Sequence, residues 1–278
     1  KGNIDASHVH TLVIDEFDKC LEMGFQEEMS EVIAQIPYLK RRFLLSATDA
    51  PAIPRFVSEG DFLKLNFLED EEQIPERIKV YTVKSPEKDK LEVLSKLLCY
   101  LGDKSSLVFV NYRESVERVY RYLLQAGISC EMFHGGMEQK DRERALYKFS
   151  NGSCNVFVST DLAARGLDIP NIDHVIHYHL PLNEDAYIHR NGRTARWDAS
   201  GNVFLILGPE EYLPEFIQQI PEDYVWEGPK PDPAKPQWVT LYIGKGKKDK
   251  INKVDIVGFL SKVGGLGKSD IGRIDVKE

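Results

Sequence analysis

The densest chemistry in the chain lies directly behind a short apolar run: Asp15-Glu16-Phe17-Asp18 follows Leu12-Val13-Ile14. Carboxylates at the carboxyl end of a buried parallel strand sit where α/β folds bind ligands. The first acid can hold Mg²⁺ through water, and the second can orient or deprotonate an attacking water, the Walker-B arrangement of nucleotide hydrolases. Taken locally, the same residues also fit a solvated acidic turn. Ser46-Ala47-Thr48 closes the next apolar run, Phe43-Leu44-Leu45, and gains weight only from lying one strand–helix unit after the acids.

A second set of groups suits phosphates. In His189-Arg190-Asn191-Gly192-Arg193-Thr194-Ala195-Arg196, the arginines at 190, 193 and 196 are three apart. That spacing predicts one side of a helix continuing from Asn183. A guanidinium fork matches a phosphoryl group better than a flexible ammonium, and Gly192 inside the pattern favours close approach of another backbone. Ser159 to Pro170 puts hydroxyls at a strand end, then small residues and Arg165-Gly166, which fits a phosphate-contacting turn. His134-Gly135-Gly136 also follows a strand, and Gln139 to Arg142 opens the next helix. Amides at such a turn and helix start can hold a phosphate, and Gln139 and Arg142 can add side-chain contacts. Each segment has a plainer counterpart: a basic solvated face, an ordinary strand–helix loop, a simple turn. Gly264 to Ser269 ends like a P-loop, but that motif needs Gly where Lys262 stands and follows a strand, and no other Walker-A sequence occurs in these residues.

These groups need a scaffold, and the chain supplies one. Its 278 residues predict two domains with an appendage, at roughly 150 residues per domain. Apolar residues make up 42% and charged residues 29%, ordinary for globular proteins. The charge, 36 Lys+Arg against 44 Asp+Glu, is −8, so binding of nucleic acid requires a local basic surface rather than a polycation. No apolar run approaches the roughly 20 residues of a membrane helix, and residues 1–10 do not read as a signal peptide. Cys20, Cys99, Cys130 and Cys154 are scattered without CxxC spacing, which argues against a zinc site or disulfide framework and fits a reducing cytoplasm.

Apolar runs at 12–14, 43–45, 107–110, 156–158 and 203–207 read as buried strands. They alternate with amphipathic stretches such as Glu114 to Ala126, where Val116, Val119, Leu123 and Leu124 share a face. The pattern predicts parallel sheets covered on both sides. Glu69 to Glu76 reads as a hinge. Pro209 to Ala234 carries seven acids and one Lys, and its second half, from Pro221, reads as a linker. The charge then inverts: Lys235 to Glu278 holds ten Lys/Arg and five acids, a separate module with its own partner.

In this order the motifs resemble those of the DEAD-box RNA helicases, over nearly the whole chain. Asp15 to Asp18 resembles motif two, Ser46 to Thr48 motif three and Leu107 to Tyr112 motif four. Gln139 with Arg142 resembles the Gln-x-x-Arg motif, Ser159 to Pro170 motif five and His189 to Arg196 motif six. The tail, above all Val239 to Gly246 with Ile271 to Val276, is similar to the RNA-binding domain of DbpA-type bacterial helicases. Three departures stand out: Phe17 for the family's Ala, where tolerance is expected; Asn191 and Ala195 for its Ile and Gly in motif six, the second bearing on Arg196; and no Walker A. The chain also begins without Met, so the resemblance implies a fragment cut at both ends.

The resemblance implies an α/β fold of RecA-like parallel-sheet lobes followed by a partial RRM-like α+β domain. Residues 1–68 would be the back half of the first lobe, 69–220 a complete second lobe, 221–236 a linker and 237–278 the start of the RRM-like domain, with one strand, one helix and room for a second strand. It implies RNA-stimulated ATP hydrolysis with local duplex unwinding, ATP and Mg²⁺ as cofactors, and a monomer acting in the cytoplasm on structured ribosomal RNA during ribosome assembly, with no membrane and no metal cluster. Asp15 would hold Mg²⁺ through water, Glu16 activate water, and Asp18 tie the site to Ser46 and Thr48. Arg193 and Arg196 would act as arginine fingers, His189 link them to the catalytic network, and Asp168 touch the ribose. Gly136, Gln139, Arg142 and Thr160 would grip RNA phosphates, and Lys245, Lys247 and Lys248 would bind RNA from the tail. These 278 residues would be inactive alone. The rival expectation is a non-catalytic RNA-binding or scaffold protein on degenerate helicase lobes, and a DNA helicase is the third.

Overall fold

A computed structural model describes residues 5–22, 24–46, 53–55, 57, 62–66, 77–164, 172–194, 200–218 and 220–276. The chain divides into two compact units, residues 1–72 and 73–278.

In the first unit, β1 (Thr11–Ile14) and β2 (Arg41–Leu44) pair in parallel, with Ile14 opposite Leu44. Between them run α1 (Phe17–Glu22) and α2 (Gln26–Ala34). The expectation of buried strands fails here: Val13 is 55% and Phe43 51% exposed. Burial of both faces needs layers on both sides, and among the described residues the outer face of this pair has no cover.

The second unit does hold the two-sided sheet. Its strands are β3 (Ile78–Lys84), β4 (Ser106–Phe109), β5 (Cys130–Phe133), β6 (Val156–Ser159), β7 (His174–His177), β8 (Gly201–Leu207) and β9 (Glu222–Asp223). All pair in parallel, in the order β5-β6-β4-β7-β8-β3-β9. Alternation along each strand feeds two cores. Val108, Val158, Ile176, Phe204 and Ile206 pack with α3 (Leu91–Leu101) and α4 (Arg113–Gln125). On the other face, Leu107, Phe109, Phe157, Val175 and Leu205 meet α5 (Gln139–Ser150) and Tyr187 of α7 (Glu184–Asn191). The short α6 (Asp161–Ala164) follows β6 directly. The alternating helix face expected for Glu114 to Ala126 forms, except that Leu124 stays 46% exposed.

The segment read as a linker is docked. Glu222 and Asp223 add a strand beside β3, where Thr82 Oγ1 donates to Asp223 Oδ1 at 2.7 Å. Tyr224 and Trp226 then pack edge-on at 5.1 Å, Lys96 stands 4.2 Å from the Trp226 ring, and Tyr100 donates its hydroxyl to the Gly228 carbonyl at 2.8 Å. Proline-rich, acidic composition suggested a linker. Two aromatic side chains outweigh it, because each removes a large apolar area from water.

The tail contacts the turn between α5 and β6. Ser153 Oγ and Thr240 Oγ1 lie 2.7 Å apart, and the Trp238 ring covers Gly152 and Gly272. Beyond it lie α8 (Lys253–Lys262), started by an Asn252–Asp255 capping box, and 3₁₀ turns at Lys247–Asp249 and Lys268–Asp270. The expected strand near 239–243 is absent among the described residues. Val239 and Tyr242 are 91% and 79% exposed, and an extended segment becomes a strand only when a partner takes its backbone bonds.

Candidate functional site

The carboxylates leave β1 through a tight turn. Glu16 has φ +49°, in the left-handed region, and its amide donates to Asp15 Oδ1 at 2.9 Å. The Phe17 amide donates to the Leu45 carbonyl at 3.0 Å and its ring is buried, so the large residue at this position anchors the turn rather than meeting solvent. Asp15 is exposed, Glu16 half-buried, and Asp18, in the first turn of α1, buried. Leu45 donates to the Ile14 carbonyl at 2.9 Å, so Ser46 departs from the same end of the pair as the acids. Thr48 lies outside the described residues. An exposed carboxylate with one oxygen already oriented by an amide fits a hydrated divalent cation, which prefers oxygen ligands and keeps its waters. Among the described residues no cluster of three or more His, Cys, Asp or Glu forms a metal cage.

In the second unit, Arg190 dominates. It is 1% exposed, and its five N–H donors all have partners. Nε and one Nη reach the two Asp161 oxygens at 2.6 and 2.7 Å. The same Nη reaches Asn111 Oδ1 at 2.8 Å, while the other reaches the His179 carbonyl at 2.7 Å and His177 Nδ1 at 3.3 Å. These partners stand at the carboxyl ends of β4, β6 and β7, where the strand order reverses. Phe109, Asp161, Ala164, Ala186, His189, Arg190 and Arg193 line a small pocket there.

The three-arginine helix face is therefore corrected. α7, capped by Asn183 Oδ1 on the Ala186 amide at 2.8 Å, ends at Asn191, with Gly192 as its C-cap. Arg190 points into the sheet, and Arg193 lies past the helix and half-exposed. Burial of a guanidinium beside a carboxylate outcompetes a shared solvent face once a fitted set of acceptors exists. A Cβ at Gly192 would stand 3.3 Å from the Ile188 carbonyl and 3.8 Å from the His189 carbonyl, both of α7. The buried Asn191 is matched by His177, whose Nε2 lies 2.9 Å from Asn191 Oδ1. Arg190 can only donate, so His177 Nδ1 accepts and Nε2–H donates, which makes the ring neutral.

That neutrality has a pH consequence. Burial first, then Arg190, pushes His177 down to about 3, and burial first, then Lys90, pushes His179 down to about 4. The unfolded chain takes up these protons near the ordinary value of 6.5 and the folded chain does not, so stability is full above that pH and drops as pH falls toward 4. At about 1.4 kcal/mol per pH unit, the fully buried His177 costs roughly 2 kcal/mol by pH 5, and the partly exposed His179 adds less. Urea unfolding of the chain at pH 7 and 5 is expected to show a loss of this order, and His177→Gln to reduce its steepness without abolishing it, because buried His174 is also held below the ordinary value. A flat profile would rule out neutral burial.

The RNA-side residues are dispersed over neighbouring turns. Thr160 is buried between β6 and Asp161. The Gly136 amide is already engaged, donating to His134 Nδ1 at 3.2 Å, and a Cβ at Gly135 would stand 3.3 Å from the Arg113 guanidinium. Gln139 bonds Glu143 at 3.1 Å, and Arg142 stands 5.1 Å from the Phe133 ring. In the tail, Lys245 pairs with Asp249 at 3.1 Å and Lys248 is exposed; Lys247 lies in the 3₁₀ turn between them. Asp168 and Arg196 lie outside the described residues, as does Ala195. The sequence reading missed Asn111 and Asp161; an acid directly after the strand end Ser159-Thr160 was the available signal for the second.

Among the described residues, no helix is long and apolar enough to cross a membrane. Three family models match the chain: DEAD/DEAH box helicase over residues 1–55, helicase conserved C-terminal domain over 89–198, and DbpA RNA binding domain over 240–278. The ATP-dependent RNA helicase DbpA of Escherichia coli K12 is 34% identical over 284 residues, covering 99% of this chain and 62% of that protein. DbpA of Bacillus subtilis 168 is 30% identical over 314 residues, covering 100% and 64%. The chain thus spans less than two thirds of the length of these relatives. Among solved structures, Saccharomyces cerevisiae Dbp5 bound to RNA and ADP BeF3 aligns with a TM-score of 0.64 at 27% identity, over 74% of this chain and 55% of that one. Its sheets are RecA-like, its tail segment matches an RNA-binding domain, and the chain belongs to the DEAD-box RNA helicases of the DbpA type.

Proposed function

We propose that this chain carries the water-activating acids, finger arginines and RNA grip of an RNA-stimulated ATPase that opens local duplexes in structured ribosomal RNA during ribosome assembly, as a cytoplasmic monomer. The observation that carries this reading is the turn after β1, which fixes the backbone of Glu16 and one carboxylate oxygen of Asp15 at a strand's carboxyl end. Asp15 would hold Mg²⁺ through water, and the ion would neutralise charge on the phosphates. Glu16 takes the proton of the attacking water. Asp18, Ser46 and Thr48 keep the turn in register, and His189 steadies the finger segment. Arg193 and Arg196 stabilise the charge that develops on the transferred phosphoryl group, and Asp168 accepts from the ribose. Gly136, Gln139, Arg142 and Thr160 hold RNA phosphates, contacts that carry no sequence information. Lys245, Lys247 and Lys248 give the tail its RNA affinity, and the tail selects the target.

Nothing in these 278 residues replaces the P-loop amides and Lys that cradle the β and γ phosphates, so the chain by itself is expected not to hydrolyse ATP. The test is steady-state phosphate release, with and without RNA, by three proteins: the chain; the chain joined behind the P-loop half-lobe of a DbpA relative (the completed protein); and the completed protein cut after Pro236. The completed protein should show RNA-stimulated release. The cut form should keep stimulation by generic RNA and lose preference for a structured ribosomal RNA fragment. Hydrolysis by the chain alone would refute the P-loop argument, and none by the completed protein would favour the scaffold reading.

A further inference from the structure

We propose that the Asp161–Arg190 ion pair is a positioning device that couples RNA at Thr160 to the placement of Arg193; it rests on the helicase reading above. Burying a guanidinium is expensive unless every donor is satisfied. Here all five are, by Asn111 after β4, His177 and His179 at the end of β7, and Asp161 at the start of α6. One ion pair alone would hold α7 against the sheet. The full set of bonds does more: it fixes where the helix ends, and the finger segment starts there.

The other end of that segment is fixed too. Thr194 is 3% exposed and donates its hydroxyl to the Ile172 carbonyl at 2.5 Å. It fits because residue 201 is glycine, whose missing Cβ would stand 2.0 Å from Thr194 Oγ1. Only Gly192 and Arg193 lie between the buried Asn191 and the buried Thr194. The Gly192, Arg193 and Thr194 amides donate to the carbonyls of Ile188, Arg190 and Asn191 at 2.8, 3.2 and 3.0 Å. Arg193 therefore moves when Arg190 moves, and has little freedom otherwise.

On the RNA side the connection is covalent. Thr160 is followed immediately by Asp161, and both carboxylate oxygens of Asp161 lie on Arg190. A phosphate that draws the Thr160 backbone changes the geometry of two charge-assisted bonds at once, and such bonds are strong and direction-dependent. The route is Thr160, Asp161, Arg190, Arg193, without a gap. Asn111 Oδ1 and the His179 carbonyl hold the guanidinium against rotation, so a shift of Asp161 passes into α7 rather than being absorbed by the side chain.

Hydrogen exchange on the whole chain, with and without a saturating single-stranded RNA oligonucleotide, tests this. RNA should slow exchange in two separate places: at 136–142 and 159–161, and at 190–194, the latter by about tenfold for a coupling of roughly 1.4 kcal/mol. Arg190→Lys keeps the charge but cannot make the five bonds. In that variant the first protection should persist and the second should vanish. Asn111→Ala, which leaves the ion pair intact, should reduce the second by a smaller factor and decides the matter should the lysine variant not fold. RNA protection absent at 136–142 in the unaltered chain would overturn the RNA-grip reading, and this inference with it. Protection there but none at 190–194, or protection at 190–194 that survives both variants, would overturn the coupling alone.

Discussion

Glu16→Gln in the completed protein is expected to lower RNA-stimulated ATP turnover by about 10²–10⁴-fold, the contribution of a positioned general base, while ATP affinity stays unchanged. The amide has the carboxylate's shape and can still hydrogen-bond to water, but it cannot accept the proton. The turn should survive the change, because what sets it is backbone: the left-handed φ of residue 16, its amide on Asp15 Oδ1, and the buried Phe17 ring. None of these needs the Glu16 carboxylate. Phosphate release under saturating ATP and RNA measures the first quantity, and titration with a fluorescent ATP analogue the second. Undiminished turnover would remove Glu16 from the role of base. Loss of turnover together with nucleotide binding would assign it to the binding site instead.

Arg193→Ala should be at least as severe, about 10³–10⁵-fold in turnover, the range for arginine fingers in phosphoryl-transfer enzymes. The guanidinium is needed most when charge develops on the phosphoryl group, so the fall should appear in kcat with little change in KM for ATP. The fold should tolerate the truncation. Arg193 is half-exposed past the end of α7, and the buried anchors on either side, Arg190 and Thr194, keep their partners without it. Arg193→Lys should recover little, because an ammonium lacks the planar fork. A variant with near-normal kcat and a raised KM would make Arg193 a ground-state binding residue.

Much of the second unit was legible in the residues. Runs such as Leu107 to Val110 read as strands buried on both faces, and the structure buries them so. The acids after Ile14 and the hydroxyls after Val158 were legible for the same reason, since a strand's end is marked by where its apolar run stops. β7 was not: His174 and His177 bracket two apolar residues, and histidine reads as polar until a neutral, hydrogen-bonded site is provided for it. β3 was missed because an alternating Ile78-Lys79-Val80-Tyr81 pattern falls short of the continuous apolar run that marked the other strands.

The sequence by itself determined the order of the chemical groups, their attachment to strand ends and the family they belong to, because these depend on residue type and local spacing. Only the tertiary structure decided which arginine is buried as an anchor and which lies half-exposed past the end of α7. Arg190 and Arg193 are the same residue type three positions apart, and nothing local separates them. Asn111, Asp161, His177 and His179 converge on one and not the other, and those four come from three strands that adjoin only after the sheet forms. The docking of Tyr224 and Trp226, and the absence of a strand at 239–243, were decided at the same level. Each depends on whether a distant partner supplies apolar surface or backbone bonds, a property of the assembled fold that no window of sequence contains.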